Sequence, residues 1–195
     1  MSGGDDRAFR RTQALAAGLF SVAHGELAVG GVPVSKLAAD HGTPLYVYDG
    51  GVLRATLERL RAHLPPRVEV YYSVKANTNV EIVRRFVELG TGLEVASGAE
   101  YLRARAAGCA AGRIVFAGPG KGAAELELVV SRGIAEIHVE SDEEIGMLAG
   151  LAGRSRLPIG IAVRFNPGAA ASGGAMRMGG QPSQFGFDEE RLGEV

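Results

Sequence analysis

The chain has 195 residues, with 21 Lys and Arg against 22 Asp and Glu, a formal net charge of −1 and one cysteine. A surface this near neutrality argues against nucleic acid or an anionic membrane as partner, and no RNA-binding or zinc pattern appears, so small molecules or protein are the expected partners. Cys109 has no second cysteine to pair with, which suits a reducing cytoplasm, and at a helix end it reads as a small apolar filler.

In chain order, the first dozen residues read as a mobile arm followed by a helix. The apolar stretch from Ala14 to Val22 is too short and too interrupted to cross a bilayer, and Asp5 and Asp6 upstream make it a poor signal peptide. Gly25 to Asp40, with Val-Gly-Gly-Val-Pro at 29–33, suits a hairpin. From residue 68 a unit repeats: a short β-branched or aromatic run, a polar or glycine turn, then a helical stretch closed by glycine. Strands are predicted at 68–74, 93–96, 113–117, 134–139 and 159–165. Their starts lie about 20 to 25 residues apart, room for one strand plus one helix and therefore for parallel pairing. Asn79 caps a predicted helix over 80–89 that Gly90 stops. Ser97 with Glu100 forms a capping box closed by Gly108, 123–132 ends at Gly133, and Ser141 with Glu144 repeats the box, with Gly150 or Gly153 beyond. Ile82, Val83, Phe86 and Val87 recur at helical spacing and face the sheet. Gly-Pro-Gly-Lys-Gly at 118–122 lacks the spacing and the Ser or Thr of a nucleotide loop, and reads as a strand-to-helix turn on the active rim. The stretch 168–183 has no apolar periodicity and reads either as a disordered connection or as a lid.

Five consecutive strand and helix units point to a (β/α) barrel or to part of a doubly wound sheet. Two observations favour the barrel: Lys-Ala-Asn-Thr-Asn stands after the first strand where a dinucleotide fold carries glycines, and the strand ends bear Lys75, Ser97, Glu140 and Asn166, which would converge on one rim. His138 falls within the fourth strand as a structural core or rim residue, while His24, His41 and His63 occupy turn or helix-end contexts. Lys75 ends the run at 68–77, where a strand stops and a loop begins. A primary amine at a barrel mouth, shielded from bulk water, has its charged form disfavoured and attacks a carbonyl to make a Schiff base, pyridoxal phosphate being the obvious carbonyl. Taken alone, the same lysine reads first as one that merely reaches solvent, and the residues after it reverse that order.

Tyr-Tyr-Ser-Val-Lys-Ala-Asn at 71–77 resembles the cofactor-lysine strand of the fold-type III pyridoxal-phosphate-dependent decarboxylases, the diaminopimelate, ornithine and arginine decarboxylase group. Gly-Thr-Pro-Leu-Tyr-Val-Tyr-Asp at 42–49 is similar to that family's approach to the barrel. Gly-Leu-Glu-Val-Ala-Ser-Gly-Ala-Glu at 92–100 is similar to its second strand and helix start, and Arg-Phe-Asn-Pro-Gly at 164–168 to its fifth strand end. Met-Gly-Gly-Gln-Pro-Ser-Gln-Phe-Gly-Phe-Asp at 178–188 resembles the segment before the sixth strand, in wording nearest to relatives that act on an amino acid held by a carrier protein. The resemblance runs from about Gly25 to the last residue.

What this resemblance implies is an alanine racemase-like (β/α)8 TIM barrel, present as about five units over 42–195, with 1–41 belonging to the family's second domain. It implies pyridoxal 5'-phosphate as cofactor, a Schiff base on Lys75, and decarboxylation of a free or carrier-tethered amino acid by a cytoplasmic homodimer. Glu94 matches an acidic residue, often aspartate in the family, near the lysine, or is a second-strand carboxylate pointing outward. Arg164 matches a strand-end arginine near the cofactor, or makes a plain salt bridge. The family's ring-stacking histidine, phosphate loop, ring-nitrogen partner and catalytic cysteine come from segments after 178–188, so the chain reads as an amino-terminal part, through truncation or a split gene. A non-catalytic pyridoxal-phosphate-binding or regulatory homologue, and an amino-acid racemase-like barrel, are the alternatives. An unclosed barrel leaves unpaired backbone on its first and fifth strands. Sedimentation of the purified chain is therefore expected to show oligomers or aggregate; a cooperative monomer would overturn the half-barrel reading.

Overall fold

The computed structural model describes residues 10–11, 13–14, 16–23, 25–153, 158–167 and 185–193, so the 168–183 connection and His24 lie outside the described residues. The chain divides into two compact units, Met1–Val68 and Glu69–Val195.

In the first unit, Gly30 and Gly31 both take positive φ, 59° and 80°, the backbone of a two-residue hairpin turn that matches strand twist. They join β2 (Glu26–Val29) to β3 (Val32–Pro33), and β1 (Ser21–Ala23) pairs antiparallel with the other edge of β2. The hairpin is shorter than the sequence suggests: Val34–His41 form helix α1, because Pro33 has no amide to continue a strand ladder. Helix α2 (Gly50–Ala62) starts where the Asp49 carboxylate accepts the amides of Gly51 and Val52 at 2.7 and 3.2 Å.

In the second unit, β4 (Tyr71–Ser73), β5 (Gly92–Val95), β6 (Ile114–Phe116), β7 (Glu136–Val139) and β8 (Ile161–Val163) lie at the predicted places and pair in parallel in chain order. Helices α3 (Val80–Glu88), α4 (Gly98–Ala106), α5 (Ala123–Arg132) and α6 (Asp142–Ala152) follow the first four strands. Three of the four starts are capped by the N-cap side chain: Asn79 Oδ1 accepts from Glu81 N at 2.9 Å, Ser97 Oγ from Glu100 N at 3.2 Å and Ser141 Oγ from Glu144 N at 3.3 Å. The capping boxes are displaced by one residue. Glu100 and Glu144 accept not from the cap amide but from the residue before it, Ala96 N at 2.8 Å and Glu140 N at 2.9 Å.

Strand alternation decides between the two fold readings. Leu93, Val95, Ile114, Phe116, Ile137 and Val139 are fully buried in a core with Val83, Tyr101, Ala104, Leu126 and Val129 of the helices. The residues between them, Glu94, Val115, Glu136 and His138, are only half-buried. Successive strand residues point to opposite faces, so the helices cover one face and leave the other open. A doubly wound sheet is covered on both faces and reverses its strand order; among the described residues of this unit the sheet does neither, as in a barrel wall. Truncating Phe116 or Leu126 in such a core costs about 3–5 or 2–5 kcal/mol. On the open face the Tyr71 ring lies against Gly92, the first residue of the neighbouring strand, so closely that a Cβ there would overlap it.

The wall extends one strand further than the sequence reading placed it. The Arg164 amide donates to Val139 O at 3.0 Å and its carbonyl accepts from Phe187 N at 2.8 Å, so β9 (Phe165–Asn166) continues β8 and pairs in parallel with β10 (Phe187–Asp188). The sixth strand thus begins inside the 178–188 segment rather than after it.

Cys109, just past α4, is buried with its Sγ 3.7 Å from Arg113 O. Burial pushes its thiol above the ordinary range, and burial likewise raises the phenol of Tyr101, whose hydroxyl donates to Gly133 O at 2.7 Å. Both groups ionise more readily once unfolded, so their contribution is complete below the unfolded thiol value of about 8.5 and is lost as pH rises through the folded values. Urea midpoints are expected to fall as pH rises above about 8.5, and Cys109→Ala with Tyr101→Phe to flatten that fall relative to each variant's own midpoint at neutral pH.

Candidate active site

Parallel strands all end on the same side, so the site is sought at the carboxyl ends of β4–β8. Tyr72 faces the helices, its ring stacked on Phe86 with centroids 3.9 Å apart and planes 9° from parallel. Alternation then sends Ser73 to the open face. A short 3₁₀ turn, Val74–Ala76, follows at once: Val74 is fully buried in the core and Lys75 is thrown out onto the rim. Asn77 locks the turn, its amide donating to Val74 O at 3.1 Å and its side chain accepting from Asn79 N at 2.9 Å.

Lys75 Nζ donates to Glu94 Oε1 at 3.1 Å, and Ser73 Oγ donates to the same oxygen at 3.1 Å. The register that pairs Ser73 with Glu94 across β4 and β5 brings the three together. Glu94 therefore faces the open side beside the lysine rather than outward into the helices. The shielding expected for the amine is not supplied by the described residues: the Lys75 side chain is 62% exposed, because β4 is the edge strand and has only β5 beside it. An ion pair this exposed adds about 0–1 kcal/mol to stability, so its consequence is the direction in which the amine points.

At the other side of the wall, Arg164 Nη1 lies 3.1 Å from both carboxylate oxygens of Glu140, and the Phe185 ring centroid is 4.8 Å from the guanidinium carbon. A salt bridge for Arg164 is thus present. Glu140 Oε1 also accepts from Gly118 N at 2.7 Å. Behind it, Lys121 donates to the Gly118 carbonyl and pairs with Glu144 at 2.9 Å, both side chains being almost wholly buried at 1% and 3% exposure. The Gly-Pro-Gly-Lys-Gly turn is therefore a strand-to-helix turn, as expected, but its lysine is turned inward. Glu125 ties the start of α4 to that of α5, accepting from Gly98 N at 2.6 Å and Gly122 N at 3.2 Å.

Of the residues expected on one rim, Lys75 and Glu94 meet each other, and Arg164 meets Glu140. The two pairs share no hydrogen bond. Ser97 serves as a helix cap, Asn166 lies in β9, and His138 sits on the open face with Nε2 2.9 Å from Glu136 Oε1. Lys121 and Glu144 were legible only as a turn lysine and a capping glutamate. Their pairing joins the turn after β6 to the first turn of α6 and has no local signal. Among the described residues no group of three His, Cys, Asp or Glu is placed to hold a metal, and no helix is long and apolar enough to cross a membrane.

Residues 51–194 match the family described as pyridoxal-dependent decarboxylase, pyridoxal binding domain. This chain belongs to that family. The family's cofactor-binding domain is thus the part of the fold that carries Lys75, Glu94 and Arg164. Among curated proteins the chain is 40% identical over 162 residues to the L-glutamyl-[BtrI acyl-carrier protein] decarboxylase of Niallia circulans, covering 83% of this chain and 38% of that protein. It is 38% identical over 165 residues to the diaminopimelate decarboxylase of Aquifex aeolicus, covering 84% of this chain and 39% of that one. A crystal structure of an Aquifex aeolicus protein superposes with a TM-score of 0.78 at 35% identity, over 90% of this chain and 40% of the other. The chain spans about two fifths of the length of these relatives.

The buried Lys121–Glu144 pair makes a direct stability test. Removing one partner strands a buried charge, so Glu144→Ala and Lys121→Met are each expected to cost about 3–5 kcal/mol in chemical denaturation. The double substitution is expected to cost clearly less than their sum.

Proposed function

We propose that this chain is the cofactor-binding part of a pyridoxal-phosphate-dependent amino-acid decarboxylase, with Lys75 as the point of covalent attachment. The observation that carries the reading is the placement of the Lys75 amine: at the end of the first strand of a barrel wall, on the open face, held 3.1 Å from Glu94. The residues fit the cofactor. A reachable primary amine stands ready for its aldehyde, a carboxylate and a hydroxyl fix that amine, and a guanidinium stands at the far rim for an anionic oxygen.

Bound pyridoxal phosphate supplies an electron-withdrawing ring that takes up the electron pair left when carbon dioxide departs. The chain's own residues do the rest. Lys75 Nζ would hold the cofactor and, as a free amine, would move protons at the rim. Glu94 balances the charge of that amine and sets its direction, and Ser73 fixes the Glu94 oxygen that receives it. Tyr71 and Gly92 keep the wall below closely packed.

The similarity to a carrier-protein glutamyl decarboxylase and to diaminopimelate decarboxylases supports an amino acid, free or tethered to a carrier protein, as substrate. The antiparallel meander before the barrel supports assigning residues 1–41 to the family's second domain and 42–195 to its barrel. Assembly as a homodimer in the cytoplasm belongs to the same proposal. The Lys75–Glu94 pairing favours the catalytic reading over a regulatory homologue, for which the amine needs no orienting carboxylate.

Limiting pyridoxal phosphate followed by borohydride reduction and peptide mass mapping is expected to place the pyridoxyl group on Lys75, and Lys75→Ala to lose it. In a polypeptide of the relatives' length carrying this segment, the same substitution is expected to lower carbon dioxide release by several orders of magnitude. A label spread over other surface lysines, unaffected by Lys75→Ala, overturns the proposal.

A further inference from the structure

Beneath the rim a closed polar circuit runs through four residues that neither cofactor attachment nor helix capping requires as a set. The Gly118 amide donates to Glu140 Oε1 at 2.7 Å, the Glu140 amide donates to Glu144 Oε2 at 2.9 Å, Glu144 pairs with Lys121 Nζ at 2.9 Å, and Lys121 Nζ returns to the Gly118 carbonyl. Gly118 faces a carboxylate with its N–H and an ammonium with its C=O, at a φ of 126° that side-chain-bearing residues rarely adopt. The circuit joins the turn after β6 to the junction of β7 and α6. Its one outlet toward the surface is the Glu140 carboxylate. That side chain is 1% exposed and accepts from Arg164 Nη1 on both oxygens, whereas Arg164 is 31% exposed.

Two carboxylates and an ammonium under a protein surface carry a desolvation cost that apolar residues of similar volume avoid. The arrangement gains its purpose from what it holds. Glu140 holds one guanidinium nitrogen, Nη1, with both of its oxygens, and the Phe185 ring centroid lies 4.8 Å from the guanidinium carbon. A long, flexible side chain is thereby fixed before any ligand arrives, and the ordering cost falls on folding instead of on binding.

We propose that Glu140 is a positioning residue, and that the Gly118–Lys121–Glu144 circuit behind it is the frame that holds the Arg164 guanidinium toward an anionic oxygen of the ligand carried by Lys75. This rests on the cofactor reading above.

The test compares pyridoxal phosphate affinity, and the pH midpoint of the absorbance of the Lys75-bound cofactor, across Glu140→Gln, Arg164→Gln, their combination and Glu140→Asp. Glu140→Gln keeps the acceptor for Gly118 and removes the charge. It is expected to weaken cofactor binding roughly ten- to hundredfold, to shift the absorbance midpoint in the same direction as Arg164→Gln, and to add nothing to Arg164→Gln in the combination. Glu140→Asp is expected to recover part of the loss. Should Glu140→Gln not fold, Gly118→Ala keeps every charged group while disturbing the circuit, and the same non-additivity with Arg164→Gln is expected. Native affinity and an unmoved midpoint in Glu140→Gln, or effects that simply add to those of Arg164→Gln, overturn the inference while labelling at Lys75 stands. Absence of labelling at Lys75 in the unsubstituted chain overturns the cofactor reading and this inference with it.

Discussion

Parallel pairing brings the carboxyl end of every strand, and the amino end of every helix that follows, to one side of the sheet. Lys75, Glu94, Glu140 and Arg164 are there for that reason. Lys75, Glu140 and Arg164 come from three different strand ends separated by as many as 89 positions, counted from residue 75 to 164, and share a rim only because β4 to β8 run the same way. The period of two along each strand does the second half of the work. It sends Leu93 and Val95 into the helical core and leaves Glu94 between them on the open face, where it can reach the lysine.

The rim treats its charges in two ways. The Lys75–Glu94 pair is left exposed, where it adds little to stability and leaves the amine reachable. The Lys121–Glu144 pair is buried, where loss of either partner would be costly and where neither group can meet a substrate. Two lysines on the strand-to-helix turns after β4 and β6 of one barrel wall thus take opposite roles. The difference lies in the turn that carries each. The 3₁₀ turn after β4 spends its buried position on Val74 and throws Lys75 outward, while the glycine-rich turn after β6 lets Lys121 fold back to the Gly118 carbonyl.

Much of this was legible in the residues. The spacing of β-branched runs, the Asn79, Ser97 and Ser141 caps and the stops at Gly90, Gly108 and Gly133 located the strands and helices of the wall, because each signal is local: a side-chain oxygen within reach of the next amides, or a backbone conformation only glycine adopts readily. The local signals failed where a different local rule intervened or where partners were distant. Helix α1 took residues assigned to the hairpin because Pro33 ends the strand, and the sixth strand began early because Phe187 finds the carbonyl of Arg164. The capping glutamates were read correctly as helix starts, yet nothing within a few residues of Glu144 indicated that its carboxylate would also hold Lys121, which is 23 positions away.

The sequence by itself determined the order of strands and helices, the position of Lys75 at a strand end, and the family motifs around it, since these depend on short-range periodicity and on residue identity. Only the tertiary structure decided that the helices cover one face of the sheet, that Glu94 turns toward the amine rather than outward, and that Arg164 is held by Glu140 above a buried circuit. Those outcomes depend on register between strands and on burial of charge, quantities that arise when distant segments pack and that no stretch of chain carries alone.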